Sequence, residues 1–339
     1  MQRSEFSFPF DPSLVATEPV LPRDRAKLMV LNRADCSCSH KHVADLPDLL
    51  KSGDLLIVND TKVRAARVKG KKRPSGTPVE ILFVKEVAER TWEVLIKGKW
   101  RAGNTIDVDS ATALTVLERD GDRTVVRIEG TVSETEFFAA HGQMPLPPYI
   151  KRSPTDQDRY WYQTVFARDE GAIAAPTAGL HFTSELMARL GGRGIGISPI
   201  TLHVGVGTFK PVTVERIEDH HMAAEWVDVG DETVHAIQRT KESGGRVVAV
   251  GTTVVRALES AALGQGCVKP YRGETNLFIT PGHVFRGADA LLTNFHLPET
   301  TLLMLVSALV GIDSLRNAYA EAVLKQYRFY SYGDAMLIL

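Results

Sequence analysis

Cysteine is scarce. Three cysteines in 339 residues exclude a disulfide framework as the source of stability, and the C-x-C spacing of Cys36 and Cys38 is tighter than the C-x₂₋₄-C of a metal knuckle. Long apolar runs are missing too. None reaches the 18 residues of a membrane span, and the longest, residues 302–312, reads as a core helix. The opening MQRSEFSFPFDPSLV lacks the basic head and apolar stretch of a secretion signal. Neither sign of charge is in excess: 40 Lys and Arg face 41 Asp and Glu, a formal net of −1. Contact with a polyanion must therefore come from a local patch. No H-x-x-x-H or HExxH pair occurs among the 10 histidines, so neither a catalytic metal nor a prosthetic group is expected. These absences point to a reduced, cytoplasmic, monomeric globular protein with no membrane contact.

What is present suggests an α/β protein carrying an insertion. The chain is 44% hydrophobic and 24% charged, an ordinary globular composition, and long enough for two domains. From about residue 64 to 148 the character changes. Residues 79–87, 91–97, 113–119 and 123–129 are short β-branched runs. Glu89-Arg90, Gly103-Asn104 and Asp120-Gly121-Asp122 punctuate them, the pattern of a small antiparallel barrel or sandwich. On either side the pattern is strand–loop–helix. Residues 54–58, DLLIV, enter Asn59-Asp60-Thr61. Residues 246–250 run through Gly251-Thr252-Thr253 into a helix over 254–262. A strand ending at 291–293 leads past Pro298 to helices over 301–310 and 313–327. Such units bring functional groups to the carboxyl ends of strands. The expected architecture is a layered α/β domain, residues 1–63 and 149–339, interrupted by a small antiparallel β-barrel, residues 64–148, with MPLPP at the boundary.

Residues 171–183, GAIAAPTAGLHFT, are nearly uncharged, yet Pro176 and Gly179 oppose a regular element. A loop results that offers the Thr177 hydroxyl and the His181 imidazole in apolar surroundings. LHVGVGTFKPV (202–212), GTTVVRALES (251–260), TNFHLPETT (293–301) and SYGDAML (331–337) share this grammar, which suggests one pocket built from several loop ends. His181, His203, His221 and His296 all lie in or beside such segments; each suits proton transfer or structural hydrogen bonding. Asp60, Glu225, Glu259 and Asp334 are the acidic candidates. Glu225, between Ala224 and Trp226, would gain proton affinity in apolar company or sit on an amphipathic surface. The GTT of GTTVVR offers helix-start amides to an anion. LHVGVGTF lacks the third glycine and the acidic residue of a dinucleotide fingerprint.

The basic signal is local. KVRAARVKGKKR, residues 62–73, carries seven basic residues and no acid: Lys62, Arg64, Arg67, Lys69, Lys71, Lys72 and Arg73. Lys97, Lys99 and Arg101 add three around Trp100. Cations beside an aromatic at a barrel edge suit phosphate contact and base stacking, although a charge run is also an ordinary solvated face.

Together the five polar-loop segments, the block DLPDLLKSGDLLIVNDTKV and the passage LPPYIKR…YQTVFA resemble, end to end, the S-adenosylmethionine:tRNA ribosyltransferase-isomerases, the QueA family of queuosine biosynthesis. The resemblance implies a two-domain fold and a reaction. The ribosyl part of S-adenosylmethionine would be transferred to 7-aminomethyl-7-deazaguanine at the tRNA wobble position and isomerised. Epoxyqueuosine would remain on the tRNA, with adenine and methionine released. A base must take a proton from the ribose carbon beside the sulfonium, and an acid must assist adenine departure. The resemblance assigns His181, His221, Glu225 and Asp334 to these transfers. Asp60, Thr177, His203, Thr208, Thr252, Thr253, Asn294 and His296 would hold the substrates. Lys62, Arg64, Arg67, Lys71, Lys72, Arg73, Lys97, Lys99 and Arg101 would hold tRNA. Three positions depart from the family pattern: Ala172, the pair Ala223-Ala224 where His-Ser is usual, and Ala26-Lys27-Leu28. A paralogue acting on another acceptor and a nonenzymatic RNA-binding protein are the competing readings.

Overall fold

The computed structural model describes residues 1–121, 123–205 and 212–339. Its strands are β1 (Lys27–Leu31), β2 (Cys38–His42), β3 (Leu55–Asn59), β4 (Thr61–Val63), β5 (Arg67–Lys72), β6 (Thr77–Ala88), β7 (Thr91–Ile96), β8 (Thr105–Asp107), β9 (Ala113–Asp120), β10 (Arg123–Glu129), β11 (Asp169–Ala172), β12 (Gly196–Leu202), β13 (Glu225–Val229), β14 (Val247–Val250), β15 (Tyr271–Thr275), β16 (Ala290–Asn294) and β17 (Ala335–Ile338). The helices are α1 (Leu46–Leu49), α2 (Glu134–His141), α3 (Asp158–Trp161), α4 (Ser184–Gly192), α5 (Asp231–Glu242), α6 (Thr252–Ala262), α7 (Thr301–Val310) and α8 (Ile312–Leu324). Two compact units emerge: residues 1–62, 147–152 and 163–339 in one, residues 63–146 and 153–162 in the other.

The first unit is built on a nine-stranded mixed sheet in the order β15-β13-β12-β3-β14-β16-β17-β1-β2. Its centre, β12-β3-β14-β16, is parallel, and these strands are nearly continuous Val, Ile and Leu because both faces are covered. Strand alternation sorts that apolar content into two layers. Met29, Leu31, Leu55, Ile57, Val247, Ala249, Leu291, Met336 and Ile338 point to one side, against α6, α7 and α8. Leu28, Val30, Leu56, Val58, Val248, Val250, Leu292 and Leu337 point to the other, against Phe182 and α4. Helix α7, TLLMLVSALV, is apolar nearly all round and correspondingly buried. The Thr300 side chain caps it by accepting from Leu303 N. No single helix among the described residues is long and apolar enough to cross a membrane.

The second unit contains a closed antiparallel barrel, β10-β7-β6-β5-β8-β9. Phe83, Trp92, Phe137 and Phe138 fill it with edge-to-face contacts at centroid separations of 5.1–5.8 Å. Helix α2 enters through a Ser133–Glu136 capping box.

Within the basic run, residues 67–72 form strand β5, which turns Val68 inward and Lys69 and Lys71 outward. Three expectations shift. The helix over 313–327 stops at Leu324. Its end is closed by a bond from Tyr327 N to Ala322 O, which directs the Tyr327 ring onto Phe295 at 5.2 Å. Residues 55–59, rather than 54–58, form the strand. Asp54 instead accepts from Lys51 N and pairs with Arg246 at 2.6 Å. Finally, residues 177–181 are not irregular but a single 3₁₀ turn, with Pro176 as its extended N-cap.

Candidate active site

The parallel strands share one edge at their carboxyl ends, where α/β sheets usually carry their sites. There β3 delivers Asn59 and Asp60, β12 delivers His203, β14 delivers Gly251, Thr252 and Thr253, and β16 delivers Asn294 and His296. Strand β17 runs antiparallel to β16 and pairs Ala335 with Asn294, so Asp334 arrives at the same edge. Backbone geometry helps. Gly251 sits at φ 102°, outside the reach of most side chains, and the turn lets α6 begin at Thr252. Asn59 pins β3 to β12, its Nδ2 donating to Leu202 O and its Oδ1 accepting from Leu202 N.

The residues gather in three places rather than one pocket. The first is an open cleft of about 710 Å³, lined by Asp60, Arg168, His203, Trp226, Asp228 and Arg272 among others. That volume suits a small molecule. Buried Asp60 accepts from Thr201 Oγ1 at 2.7 Å and pairs with Arg168 at 2.9 Å. Burial holds its carboxyl above the usual range, against the opposing pull of Thr201 and Arg168. His203 stacks on Trp226 with centroids 5.0 Å apart and shares a 2.8 Å hydrogen bond with Thr61 Oγ1. Gly171 leaves room for that ring: a Cβ there would lie 2.6 Å from it.

The second place is a small cavity of about 30 Å³, lined by Thr177, Thr252, Thr253, Thr293 and His296. It has room for only a water or two as it stands. His296 Nε2 shares a bond with Thr293 Oγ1 at 2.9 Å, and its N donates to Tyr319 Oη. Burial pulls the imidazole down to about 3. The third surrounds His181, beside Arg23, Arg328, Ser331 and Tyr332. Burial, then the charges of Arg328 and Arg23, lower His181 to about 4, and the Asn294 side chain opposes them. His181 Nε2 and Asn294 Oδ1 are both buried without a hydrogen-bond partner, while Asn294 Nδ2 donates to Tyr330 O.

Other candidates behave differently. Glu225 is neither in apolar company nor on a surface. It is buried against the Arg256 guanidinium, and its Oε1 accepts from Gly205 N at 2.9 Å. Asp334 is buried and occupied by backbone, accepting from Lys27 N and Arg328 N. His221 is exposed, with Nδ1 3.0 Å from Asp219 O. Glu259 serves a structural role, accepting from the amides of Arg286, Gly287 and Ala288 and pairing with His283. Thr208 lies outside the described residues.

Lys62, in the first unit, and Lys69, Lys71, Lys97, Lys99 and Arg101, in the second, are exposed. Arg64, Arg67, Lys72 and Arg73 are engaged within the barrel. Arg64 stacks over Trp92 at 4.7 Å, and Arg67 donates to Leu146 O and pairs with Glu80. Lys72 lies 4.4 Å over Trp100, and Arg73 pairs with Asp107. Trp100 itself is only 6% exposed, with Nε1 donating to Lys97 O, so it is packing for Lys72 rather than a platform for a base. Sequence reading passed over Arg256, Arg168, Trp226 and Arg328. Arg256 left a signal, a lone cation in the apolar run VVRAL, which a buried helix tolerates only with a partner.

Comparison with known proteins agrees with the early resemblance. A family model described as "Queuosine biosynthesis protein" matches residues 3–338. The S-adenosylmethionine:tRNA ribosyltransferase-isomerase of Geotalea uraniireducens (strain Rf4) is 47% identical over 346 residues, covering 100% of both chains. That of Halothermothrix orenii is 45% identical over 343 residues, again covering 100% of both. The crystal structure of S-adenosylmethionine tRNA ribosyltransferase from Thermotoga maritima matches at a TM-score of 0.58 and 35% identity, over 99% of this chain and 100% of that one.

Proposed function

Because this chain belongs to the queuosine biosynthesis family, we propose that its α/β unit holds S-adenosylmethionine and moves the protons of the reaction, while the barrel's exposed cations hold tRNA. The activity is transfer and isomerisation of the ribosyl moiety of S-adenosylmethionine onto 7-aminomethyl-7-deazaguanine at the wobble position. Adenine and methionine leave, and epoxyqueuosine stays on the tRNA. S-adenosylmethionine is consumed as a substrate, and the chemistry calls for no prosthetic group.

The observation that carries this assignment is the shared carboxyl edge of β12, β3, β14 and β16. It collects Asp60, His203, Thr252, Thr253, Asn294 and His296, with Thr177 against the same small cavity. A nonenzymatic RNA-binding protein has no use for so many buried polar groups in its α/β unit, each of which costs desolvation.

Among the four proton-transfer candidates, His181 has the properties the first step needs. It is neutral at physiological pH, and its Nε2 meets no partner at full hydrogen-bonding geometry. A neutral ring nitrogen can accept the ribose proton and return it to a leaving base. Glu225 and Asp334 fit a positioning role: Glu225 fixes Gly205 and Arg256, and Asp334 fixes the turn at Arg328 beside His181. His221 lies on an exposed segment, where solvent and substrate can reach its ring. The 30 Å³ cavity implies that the donor displaces neighbouring side chains or loops on binding. We place the enzyme in the cytoplasm, where its tRNA substrate is made. We take it to act as a monomer.

The test is incubation with S-adenosylmethionine and tRNA carrying the aminomethyl-deazaguanine base, followed by nucleoside mass analysis. A ribosyl-derived adduct with matching adenine release is expected. Adenine release without an adduct on that base would favour a different acceptor.

A further inference from the structure

We propose that Cys38, His40 and Glu321 form a binding site for a zinc-class divalent cation at the β2 edge of the large sheet. Strand β2 is the terminal strand of the sheet order, and Cys38 and His40, two residues apart, share one of its faces. Helix α8 brings Glu321 over that face. One ligand atom from each, a thiol sulfur, an imidazole nitrogen and a carboxylate oxygen, lies within 4.8 Å of the other two. Tetrahedral zinc with bonds of about 2.0–2.3 Å needs its ligands roughly 3.3–3.8 Å apart. Side-chain rotation on the order of 1 Å would therefore close the site.

Three further observations favour a cation. His40 Nδ1 shares a 2.7 Å hydrogen bond with Tyr327 Oη. That is the outer support a metal-binding imidazole usually has, and it aims Nε2 at Glu321. Nε2 and Glu321 Oε1 meet at 2.8 Å, a contact that an ion entering between them would replace with two metal bonds. The His40 and Glu321 side chains are 31% and 37% exposed, so one side stays open for entry and for a water as fourth ligand.

The donor set selects the metal. One soft sulfur, one imidazole and one carboxylate suit zinc better than magnesium or calcium, which prefer oxygen alone. Thiolate and carboxylate together neutralise the double charge. Cys38 must give up its proton, which burial and the Glu321 charge hold by pushing the thiol up to about 11. A divalent ion at bonding distance reverses that bias. Cys38 pairs with Leu31 at the far end of β1 from Leu28, which pairs with Ala335. The cluster thus lies away from the carboxyl edge that carries the proposed chemistry.

The experiment uses the full chain stripped with a chelator and then dialysed. Zinc is titrated against a chromogenic competitor, and cobalt(II) serves as a spectroscopic substitute. One equivalent should bind, and the cobalt form should show a thiolate-to-metal charge-transfer band. Cys38→Ser should abolish that band, and His40→Ala and Glu321→Gln should each weaken zinc by at least about tenfold. Cys36→Ser should bind as the parent does, because Cys36 Sγ is turned to Ser314 Oγ at 3.2 Å. Should Cys38→Ser fold poorly, the half-exposed Glu321→Gln variant carries the test. Absence of stoichiometric binding, or unchanged affinity in Glu321→Gln and His40→Ala, overturns the proposal.

Discussion

Glu225 on β13 and Arg256 on α6 form an ion pair sealed inside the α/β unit, with 2% and 3% of their side chains exposed. Further contacts hold each partner: Glu225 accepts from Gly205 N, and Arg256 Nε donates to Leu277 O at 3.0 Å, while Arg256 Nη2 is buried without a hydrogen-bond partner. One carboxylate thereby links a strand, a helix and the stretch after β12.

Removing either partner strands the other charge in a dry place. Arg256→Met or Glu225→Gln should each destabilise the protein by about 3–5 kcal/mol. The double variant should lose clearly less than the sum, because no uncompensated charge remains. Urea denaturation of the four proteins checks this, and simple additivity would show that the pair is not coupled.

Two buried histidines make stability depend on acid. His181 at about 4 and His296 at about 3 stay neutral when folded but take up protons near 6.5 when unfolded. The unfolded chain therefore binds more protons across roughly pH 4–6.5. Stability is full above that window and falls as pH drops through it. Each group contributes a slope of about 1.4 kcal/mol per pH unit. His181→Gln should be less stable than the parent at pH 7, and the gap should narrow on acidification. A gap that stays constant from pH 7 to 4.5 would mean His181 titrates normally.

Gly171→Ala would place a methyl group 2.6 Å from the His203 ring, which is already stacked on Trp226. The ring must move, so kcat/KM should fall by roughly 10²-fold with the fold intact, a displacement of about 1 Å being enough. Activity assays beside circular dichroism decide it, and wild-type turnover would remove His203 from the substrate-holding set.

For tRNA, the exposed cations should matter more than the engaged ones. Lys71→Glu, Lys99→Glu and Arg101→Glu should each lower the salt slope of binding by roughly 0.7–0.9. Arg73→Gln should change it less, since that guanidinium is held by Asp107. Affinity measured at several salt concentrations separates the two groups, and equal effects would undo the distinction.

Much of the frame was legible because it follows from periodicity. The runs that became β3, β14 and β16 are apolar on both faces, and α7 is apolar all round, so their type and burial follow from the residues themselves. Strand β5 was hidden because its outward positions are lysines, and the one apolar residue facing in, Val68, makes no alternation. The site was legible only as a set of loops. Nothing in SYGD indicates that Asp334 spends both oxygens on backbone amides, and nothing in AAEW indicates that Glu225 meets Arg256. Those facts depend on which strands neighbour one another, and that is fixed by long-range packing.

The sheet order has a consequence for synthesis. Strand β1 lies between β2 and β17, and Ala335, where β17 begins, is made about 300 residues after Leu31, where β1 ends. At typical elongation rates of about 5–20 residues per second, β1 waits roughly 15–60 s after it is translated for its parallel partner. During that time Leu28, Met29, Val30 and Leu31 have only the polar hairpin strand β2 beside them. The barrel strands, contiguous in sequence and antiparallel, face no such delay. A ribosome stalled before Ala335 would therefore hold a finished barrel and an open apolar sheet edge, the kind of nascent chain that holdase chaperones shield.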